Sequence, residues 1–177
     1  FKALYTTGGV AGYVKDSYFE IVNNSDDVQY LDGLILSAPT GNQTKANAWQ
    51  AAGITDRYEC GQGTVVAFPG VSGGKEYPLQ PGESVVVAND AANHSKLANA
   101  GNNCPDLSKA DWEIQITNSG DPSYIDRTLS VIFQSNQYMK AFGLGFFGRA
   151  YILAKLPDGM SPESYAADAN NLMTTPG

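Results

Sequence analysis

Two well-separated segments constrain the fold more than any other part of this chain. In the first, a β-rich run over 18–24 breaks at a polar turn over 24–27 and resumes as a second apolar run over 31–36. In the second, a Pro-Gly dipeptide at Pro81-Gly82 leads into three consecutive valines. Short polar side chains, glycine and proline favour turns, whereas β-branched residues favour pleated strands. The two segments therefore predict a small β-sandwich of the kind common outside the cell.

In two segments every second residue is apolar, and this alternation identifies their core faces. One segment places Phe19 and Ile21 on the same face, and the other does so with Trp112, Ile114 and Ile116. Successive side chains of a strand point to opposite sides of the sheet. These residues are therefore predicted to face the core.

Turn signals separate roughly eight predicted strands, and the chain lacks the amphipathic helical crossovers that a parallel α/β fold requires. A cap residue followed by a helix-compatible proline, Ser161-Pro162, predicts a short helix near the end of the chain. The predicted fold class is therefore all-β, with a sandwich domain over 1–156 and a short helical or disordered tail over 157–177 that leads to further sequence. Long loop insertions are expected at 39–63 and 91–111.

Composition and charge argue against several classes of function. The formal net charge is −7, the sequence pI is about 4.5, and the basic residues are scattered without a cluster. An acidic surface repels a phosphate backbone, so nucleic-acid binding is disfavoured. Two cysteines and one histidine without a C-x-x-C motif argue against a zinc site, and no cofactor is predicted. The chain has no apolar run long enough for a transmembrane helix.

The two cysteines, Cys60 and Cys104, lie in loops rich in Gly and Asn. A disulfide between them would stabilise the fold by about 3–4 kcal/mol on the chain-entropy model. The sequence leaves the pairing open, because it does not show whether the two Cα atoms come within bonding reach. The chain begins at Phe1 without an initiator Met or a signal peptide, so we expect it to be an interior piece of a longer precursor.

Several polar residues that could carry chemistry are better explained as structural. His94 is the single histidine, and neither a Gly-x-Ser-x-Gly elbow nor metal-ligand spacing accompanies it. Asp26, Asp27, Asp32 and Asp90 lack the spacing of a calcium-binding loop, and we interpret them as solvated turn acids.

Paired carboxylates for glycoside hydrolysis would have to come from Glu20, Glu83 or Glu113. Glu20 and Glu113 lie within predicted strands, where we expect them to face solvent or to bond neighbouring backbone. The Gly-x-Gly-x-x-Gly string over 143–148 leads into a strand rather than a helix, so it is not interpreted as a dinucleotide site. The sequence therefore assigns no catalytic residue.

Aromatic residues in or beside loops are the stronger candidates for a ligand site. They are Trp49, Tyr58, Tyr124 and Tyr138, and Asn and Gln lie near them in the chain. Exposed aromatic rings with polar neighbours form platforms for sugar rings or peptide segments. The structural alternative is that these rings only cover the ends of the sandwich.

Three ordered strings of sequence carry a resemblance to a known family. They are 18–24 with the following Leu31-Asp32-Gly33-Leu34, then 75–88, and finally 106–113. The first string, together with 79–88 of the second, resembles lamin-tail-type immunoglobulin-like domains. Together the strings are similar to a family of uncharacterised lipoproteins from Bacteroides-like bacteria, classed as a domain of unknown function. The resemblance covers most of 1–156 and implies a lamin-tail-like, immunoglobulin-like β-sandwich in the cell envelope, with no assigned catalytic residue.

The sequence thus favours a non-catalytic domain at the cell surface or anchored to the outer membrane, which binds a protein or a glycan through its end loops. Membrane attachment would come only from a lipidated N-terminus outside this sequence. A purely structural spacer and a divergent metal-dependent hydrolase are the alternatives. A deep polar pocket enclosing His94 and two carboxylates would contradict the non-catalytic hypothesis.

Overall fold

The computed structural model describes residues 1–5, 13–38, 53, 64–97, 103–116, 124–134, 142, 144 and 151–168. Strands dominate these ranges, with one 3₁₀ turn at His94–Lys96 and one short helix, so the prediction of an all-β fold is confirmed. The strands are β1 Ala3–Tyr5, β2 Tyr18–Val22, β3 Gln29–Tyr30, β4 Leu34–Ala38, β5 Thr64–Ala67, β6 Pro78–Leu79, β7 Ser84–Ala88, β8 Trp112–Gln115, β9 Thr128–Gln134 and β10 Ile152–Lys155, and the helix is α1 Pro162–Ala167.

Eight of these strands form one sheet in the order β1-β2-β7-β8-β9-β5-β4-β10, and β3 pairs with β6 in a separate ribbon. Most neighbours are antiparallel, and Phe19 of β2 lies opposite Val87 of β7. Strand β8 runs parallel to both β7 and β9. The sequence did not indicate these parallel pairs, because the segments that join the strands lack helical periodicity.

One hydrophobic core joins strands that are distant in the sheet order. Phe19 of β2 and Leu36 of β4 belong to the same buried cluster, together with Trp112 of β8. In a flat sheet, the five steps from β2 to β4 would separate them by about 24 Å. The sheet therefore curls until its two halves face each other, which is consistent with a β-sandwich.

The residues predicted to face the core are buried. Trp112 is 1% exposed and packs edge-to-face against Phe68 and Tyr77, with ring centroids 5.1 and 5.2 Å away. Edge-to-face packing is a favoured arrangement of aromatic rings. The other predicted core residues are also 5% exposed or less: Phe19, Ile21, Ile114 and Ile116.

Strand β5 is covered on both faces. Its Val66 points into the sandwich core, whereas Val65 and Ala67 belong to a second cluster on the outer face. Tyr165 of α1 packs against that second cluster. The predicted N-cap is also present, since the Ser161 hydroxyl accepts a hydrogen bond from the Ser164 N–H at 3.1 Å.

The Asp32-Gly33 turn shows why the sequence has an acid and a glycine there. Gly33 has a φ of +63°, and a Cβ atom at this position would come within 2.6 Å of the Ser72 nitrogen. Asp32 is buried, and its two carboxylate oxygens accept hydrogen bonds from the N–H groups of Glu76 and Tyr77, both at 3.0 Å. The interpretation of Asp32 as a solvated turn acid is therefore wrong, because its carboxylate organises a neighbouring loop.

Candidate functional site

Tyr124 is the predicted ligand-binding residue that the structure describes, and Trp49, Tyr58 and Tyr138 lie outside the described residues. Tyr124 comes just before β9 and is 50% exposed. It is among the most exposed of the large apolar or aromatic side chains in the described ranges. A tyrosine that keeps half of its surface in water can receive a ligand without unfolding its surroundings.

The backbone around Tyr124 is held by a buried carboxylate. Glu113 of β8 is 4% exposed. Its Oε2 accepts a hydrogen bond from the Tyr124 N–H at 2.9 Å, and its Oε1 accepts one from the Ala91 N–H at 3.1 Å. Glu113 thus bonds neighbouring backbone, one of its two predicted roles, and ties the segment after β7 to the segment before β9.

Three further tyrosines lie at this end of the fold. Tyr5 ends β1 opposite Tyr18 at the start of β2, and their rings stack at 5.2 Å with an interplanar angle of 15°. Tyr124 lies near enough to Tyr13 for its ionisable hydroxyl to add to the rise in the pKa of Tyr13. All but Tyr124 are half-buried. We call the surface formed by Tyr5, Tyr13, Tyr18 and Tyr124 the tyrosine end.

His94 lies beneath the tyrosine end and is fully buried. Its Nε2 is 2.8 Å from the Asp90 carbonyl oxygen, and its Nδ1 is 2.6 Å from the Tyr13 hydroxyl. A carbonyl only accepts hydrogen bonds, so Nε2 carries the proton of the neutral imidazole and Nδ1 accepts from Tyr13. Both ring nitrogens are therefore used inside the protein.

Tyr13 is kept as a hydrogen-bond donor by its surroundings. Burial, followed by the charges of Asp90 and Asp16, raises the pKa of Tyr13 to about 12. Both effects disfavour a phenolate, since burial penalises charge and the neighbouring acids repel it. The phenol therefore stays protonated and continues to donate to His94.

Asp90 is buried at the same place, with 6% of its surface exposed. Its Oδ1 has no hydrogen-bond partner among the described residues. Burial raises the pKa of the Asp90 carboxyl, the charge of Lys15 opposes that rise, and the charge of Glu113 adds to it. Asp90 was interpreted as a solvated turn acid, and that is wrong as well, because β7 ends by directing it into the protein rather than into water.

Asn89 and Ser17 hold the frame around these residues. The Asn89 N–H donates to the Ser17 carbonyl at 2.9 Å, and the Asn89 side-chain amide donates to the Ser17 hydroxyl. The same amide exchanges two hydrogen bonds with the Phe142 backbone, at 2.9 and 2.8 Å. The Asn89 side-chain amide thus bonds both the N–H and the carbonyl of Phe142, as the backbone of a neighbouring strand would. It holds the segments that contain Ser17, Asn89 and Phe142 against each other.

Cys104 is buried and lies next to Asp16. Burial raises the pKa of its thiol, and a hydrogen bond to Asp16 and the charge of that carboxylate add to the effect. Cys60 lies outside the described residues, so the disulfide between Cys60 and Cys104 stays a prediction.

The remaining acids considered from the sequence do not converge on the tyrosine end. Glu20 lies on the outer face of β2, where hydrogen bonds from Lys2 and Ser84 lower its pKa. Glu83 caps a turn by accepting the Gln80 N–H at 2.7 Å. Asp26 and Asp27 are exposed, as predicted for turn acids.

Sequence reasoning did not identify Tyr5, Tyr13 and Tyr18 as members of a candidate site. They are separated in sequence from Tyr124, and only the pairing of β1 with β2 and the packing of later loops bring them together. A partial signal was present, because polar pairs directly flank two predicted strands, Asp16-Ser17 before β2 and Asn89-Asp90 after β7.

No group of three or more His, Cys, Asp or Glu side chains in the described ranges is arranged to hold a metal ion. Within the same ranges, no helix is long and apolar enough to cross a membrane.

A family model described as a protein of unknown function, DUF4876, matches residues 80–177, which is more than half of the chain. The chain belongs to the DUF4876 family. A search of the curated proteins gives no match. Membership in this family confirms the resemblance to a domain of unknown function.

The fold is similar to the crystal structure of a DUF4876 family protein from Bacteroides thetaiotaomicron VPI-5482, with a TM-score of 0.75 and 29% sequence identity. The match covers 91% of this chain and 43% of that chain. The chain thus spans less than half the length of this DUF4876 relative. The relative comes from a Bacteroides species, as the resemblance implied.

Proposed function

We propose that this domain is a non-catalytic, lipoprotein-type domain of the cell envelope that binds a glycan or a protein segment through the tyrosine end. The observation that carries the proposal is the placement of Tyr124, which is 50% exposed and whose backbone is fixed by the buried Glu113. A rigid aromatic ring loses little conformational entropy when it binds a ligand.

The arrangement beneath the ring supports binding through a preformed surface. Glu113 connects the segments that carry Tyr124 and Ala91, and His94 connects Tyr13 to the segment after β7. Hydrogen bonds of this kind hold loops in one conformation, so that less ordering is required when a ligand arrives. The tyrosine faces and edges offer the apolar area that sugars and peptides bury.

The position of His94 favours binding over catalysis. The charges of two carboxylates, Asp16 and Asp90, raise the pKa of Tyr13, the hydrogen-bond partner of His94. A histidine with two carboxylates nearby is part of what a catalytic site would require. The imidazole is nevertheless fully buried, and both of its nitrogens are engaged by Tyr13 and by the Asp90 carbonyl. A general base must come within hydrogen-bond reach of the proton that it removes from a substrate. A buried imidazole with both nitrogens engaged does not meet this requirement.

The envelope location rests on the family resemblance and on composition. Only 16% of the residues are charged, a low fraction that is more typical of secreted β-proteins than of cytosolic helical enzymes. Attachment through a lipidated N-terminus is part of the proposal, and the domain itself would face away from the cytoplasm.

The experiment is an array of glycans and cell-surface proteins probed with the purified domain and with Tyr124→Ala. The Trp49→Ala and Tyr58→Ala variants test the two predicted residues that lie outside the described ranges. Tyr30→Ala is the matched control, because Tyr30 is a half-buried tyrosine of the separate β3-β6 ribbon. We expect a specific ligand whose binding is lost in Tyr124→Ala and retained in Tyr30→Ala.

A blank array, or a ligand that binds equally well to Tyr124→Ala, would contradict binding through the tyrosine end. A blank array would favour the purely structural spacer. Hydrolysis of an array glycan by the wild-type domain would contradict the non-catalytic assignment.

A further inference from the structure

The described polar network at the tyrosine end offers hydrogen-bond acceptors. Tyr13 uses its one proton for His94 Nδ1, and His94 uses its proton for the Asp90 carbonyl. The Tyr13 oxygen keeps lone pairs, and Asp90 Oδ1 has no partner among the described residues. A ligand that uses this network must therefore supply the protons.

Two other buried acids of the described ranges, Asp32 and Glu113, differ from Asp90 in the use of their carboxylate oxygens. Asp32 uses both carboxylate oxygens to hold Glu76 and Tyr77, and Glu113 uses both to hold Tyr124 and Ala91. Those two carboxylates are explained by the loops that they organise. A buried carboxylate oxygen without a partner costs stability and requires another explanation.

We propose that the tyrosine end binds a protonated primary amine, whose ammonium group donates hydrogen bonds to Oδ1 of Asp90 beside the Tyr13 ring. This inference rests on the proposed binding function and names the ligand chemistry of the same surface. An ammonium group is a compact donor of three hydrogen bonds, and it is attracted to the face of a tyrosine ring. Anionic groups would be repelled by Asp90 and Asp16 and would find no donor in this network.

Lys15 indicates how the amine reaches Asp90. Its positive charge already acts on the Asp90 carboxylate, and its side chain is half-buried beside the exposed Val14. In this proposal the ligand's ammonium replaces the positive charge of Lys15 near Asp90, which requires the Lys15 side chain to move aside. Oδ1 itself has almost no exposed area, so this exchange is the step that admits the ligand.

Two sources can present such an amine: an amino sugar of a glycan and a lysine side chain of a protein. The test therefore uses two pairs of probes in calorimetric titrations at low salt. One pair is a short glucosamine oligomer and its fully N-acetylated form. The other is a lysine-containing peptide and the same peptide acetylated at the side-chain amine. Acetylation removes the charge and keeps most of the shape.

Two variants act on the proposed contact in opposite directions. Asp90→Asn removes the negative charge at nearly constant shape, so the affinity for the free amine should fall about tenfold or more. Lys15→Gln removes the competing ammonium, so the affinity should rise. Asp158→Asn is the control, because Asp158 is a surface acid whose side chain is 81% exposed and pairs with Lys155. Thermal unfolding of each variant verifies that it is folded.

The expected result is binding of one free-amine probe, at least about tenfold weaker binding of its acetylated form, and the stated changes in the two variants. The pair that responds identifies the source of the amine. Equal binding of free and acetylated probes, undiminished binding by Asp90→Asn, or no binding of either free amine would overturn the proposal. The array with Tyr124→Ala judges the binding function separately, since a ligand without an amine would support that function and contradict this inference.

Discussion

At the scale of single residues, three of the buried acids differ in their effect on the stability of the fold. Asp32 and Glu113 each accept two backbone hydrogen bonds, whereas one oxygen of Asp90 has no partner among the described residues. Hydrogen bonds compensate a carboxylate for the water that it loses on burial. The first two acids therefore stabilise the fold, and Asp90 destabilises it.

Asp90→Asn should make the domain more stable at neutral pH. Burial raises the pKa of Asp90 in the folded protein, so the stability falls as the pH rises from the ordinary range of an unfolded Asp through the raised value. The variant lacks this ionisation, and its free energy of unfolding should exceed that of the wild type by about 1 kcal/mol near neutrality. Urea unfolding across pH measures the difference.

That difference should vanish below about pH 4, where the carboxyl is protonated in both states. Asp158→Asn, at a largely exposed acid, serves as the control and should follow the wild-type curve. A destabilised Asp90→Asn at neutral pH would show that the carboxylate has stabilising contacts.

Asp32→Ala should destabilise the domain by about 3 kcal/mol, because it leaves the N–H groups of Glu76 and Tyr77 without acceptors. Asp26→Ala is the matched control at an exposed turn, with an expected change within about 0.5 kcal/mol. Chemical denaturation gives both values. Similar small effects at the two positions would mean that water replaces the carboxylate without cost.

At the scale of elements, β5 and α1 show how the outer face of the sheet is covered. Strand β5 is buried along its whole length, since the sandwich core covers one face and the cluster containing Tyr165 of α1 covers the other. A strand buried on both faces has a continuous apolar sequence, as Thr64 to Ala67 largely does. The helix is therefore part of the packing that stabilises the sheet.

Val65→Ala should cost about 2 kcal/mol, from two lost methyl groups and the cavity that they leave. Val65 is 1% exposed on the outer face, so this loss requires the outer layer to be well packed. Val71→Ala is the control, because Val71 is 44% exposed and its truncation should change stability by less than about 0.5 kcal/mol. Equal effects in the two variants would contradict a packed outer layer.

At the scale of the whole molecule, a single core connects both halves of the curled sheet. Phe19 and Val87 from one half, Leu36 and Val66 from the other, and Trp112 between them form one buried cluster. The two halves should therefore lose their structure together rather than one after the other.

The domain should unfold in one cooperative thermal transition, with equal calorimetric and van't Hoff enthalpies. Val87→Ala and Val66→Ala, one in each half, should both lower the midpoint of that same transition. Scanning calorimetry with near-UV circular dichroism tests this expectation. Two resolved transitions, each moved by only one of the variants, would show that the halves are independent.

The candidate site was predicted from the sequence only in part. Tyr124 was selected because aromatic residues in loops often contact ligands, and it is indeed half exposed. The network of Tyr13, His94 and Asp90 was not foreseen, and Asp90 was expected in solvent. Sequence spacing does not show which polar residues a closing sheet takes out of water, because that depends on long-range contacts.

What the sequence by itself determined was the local pattern: the all-β class, the inward faces of β2 and β8, and the Ser161 cap. Each of these follows from the conformational preferences and alternation of neighbouring residues. Only the tertiary structure decided that β8 lies parallel between β7 and β9, that the sheet curls around one core, and that Tyr13 and Tyr124 lie near the buried Asp90. The physical reason is that strand neighbours are selected by packing and hydrogen bonding between distant segments, whose free energy no local stretch of sequence contains.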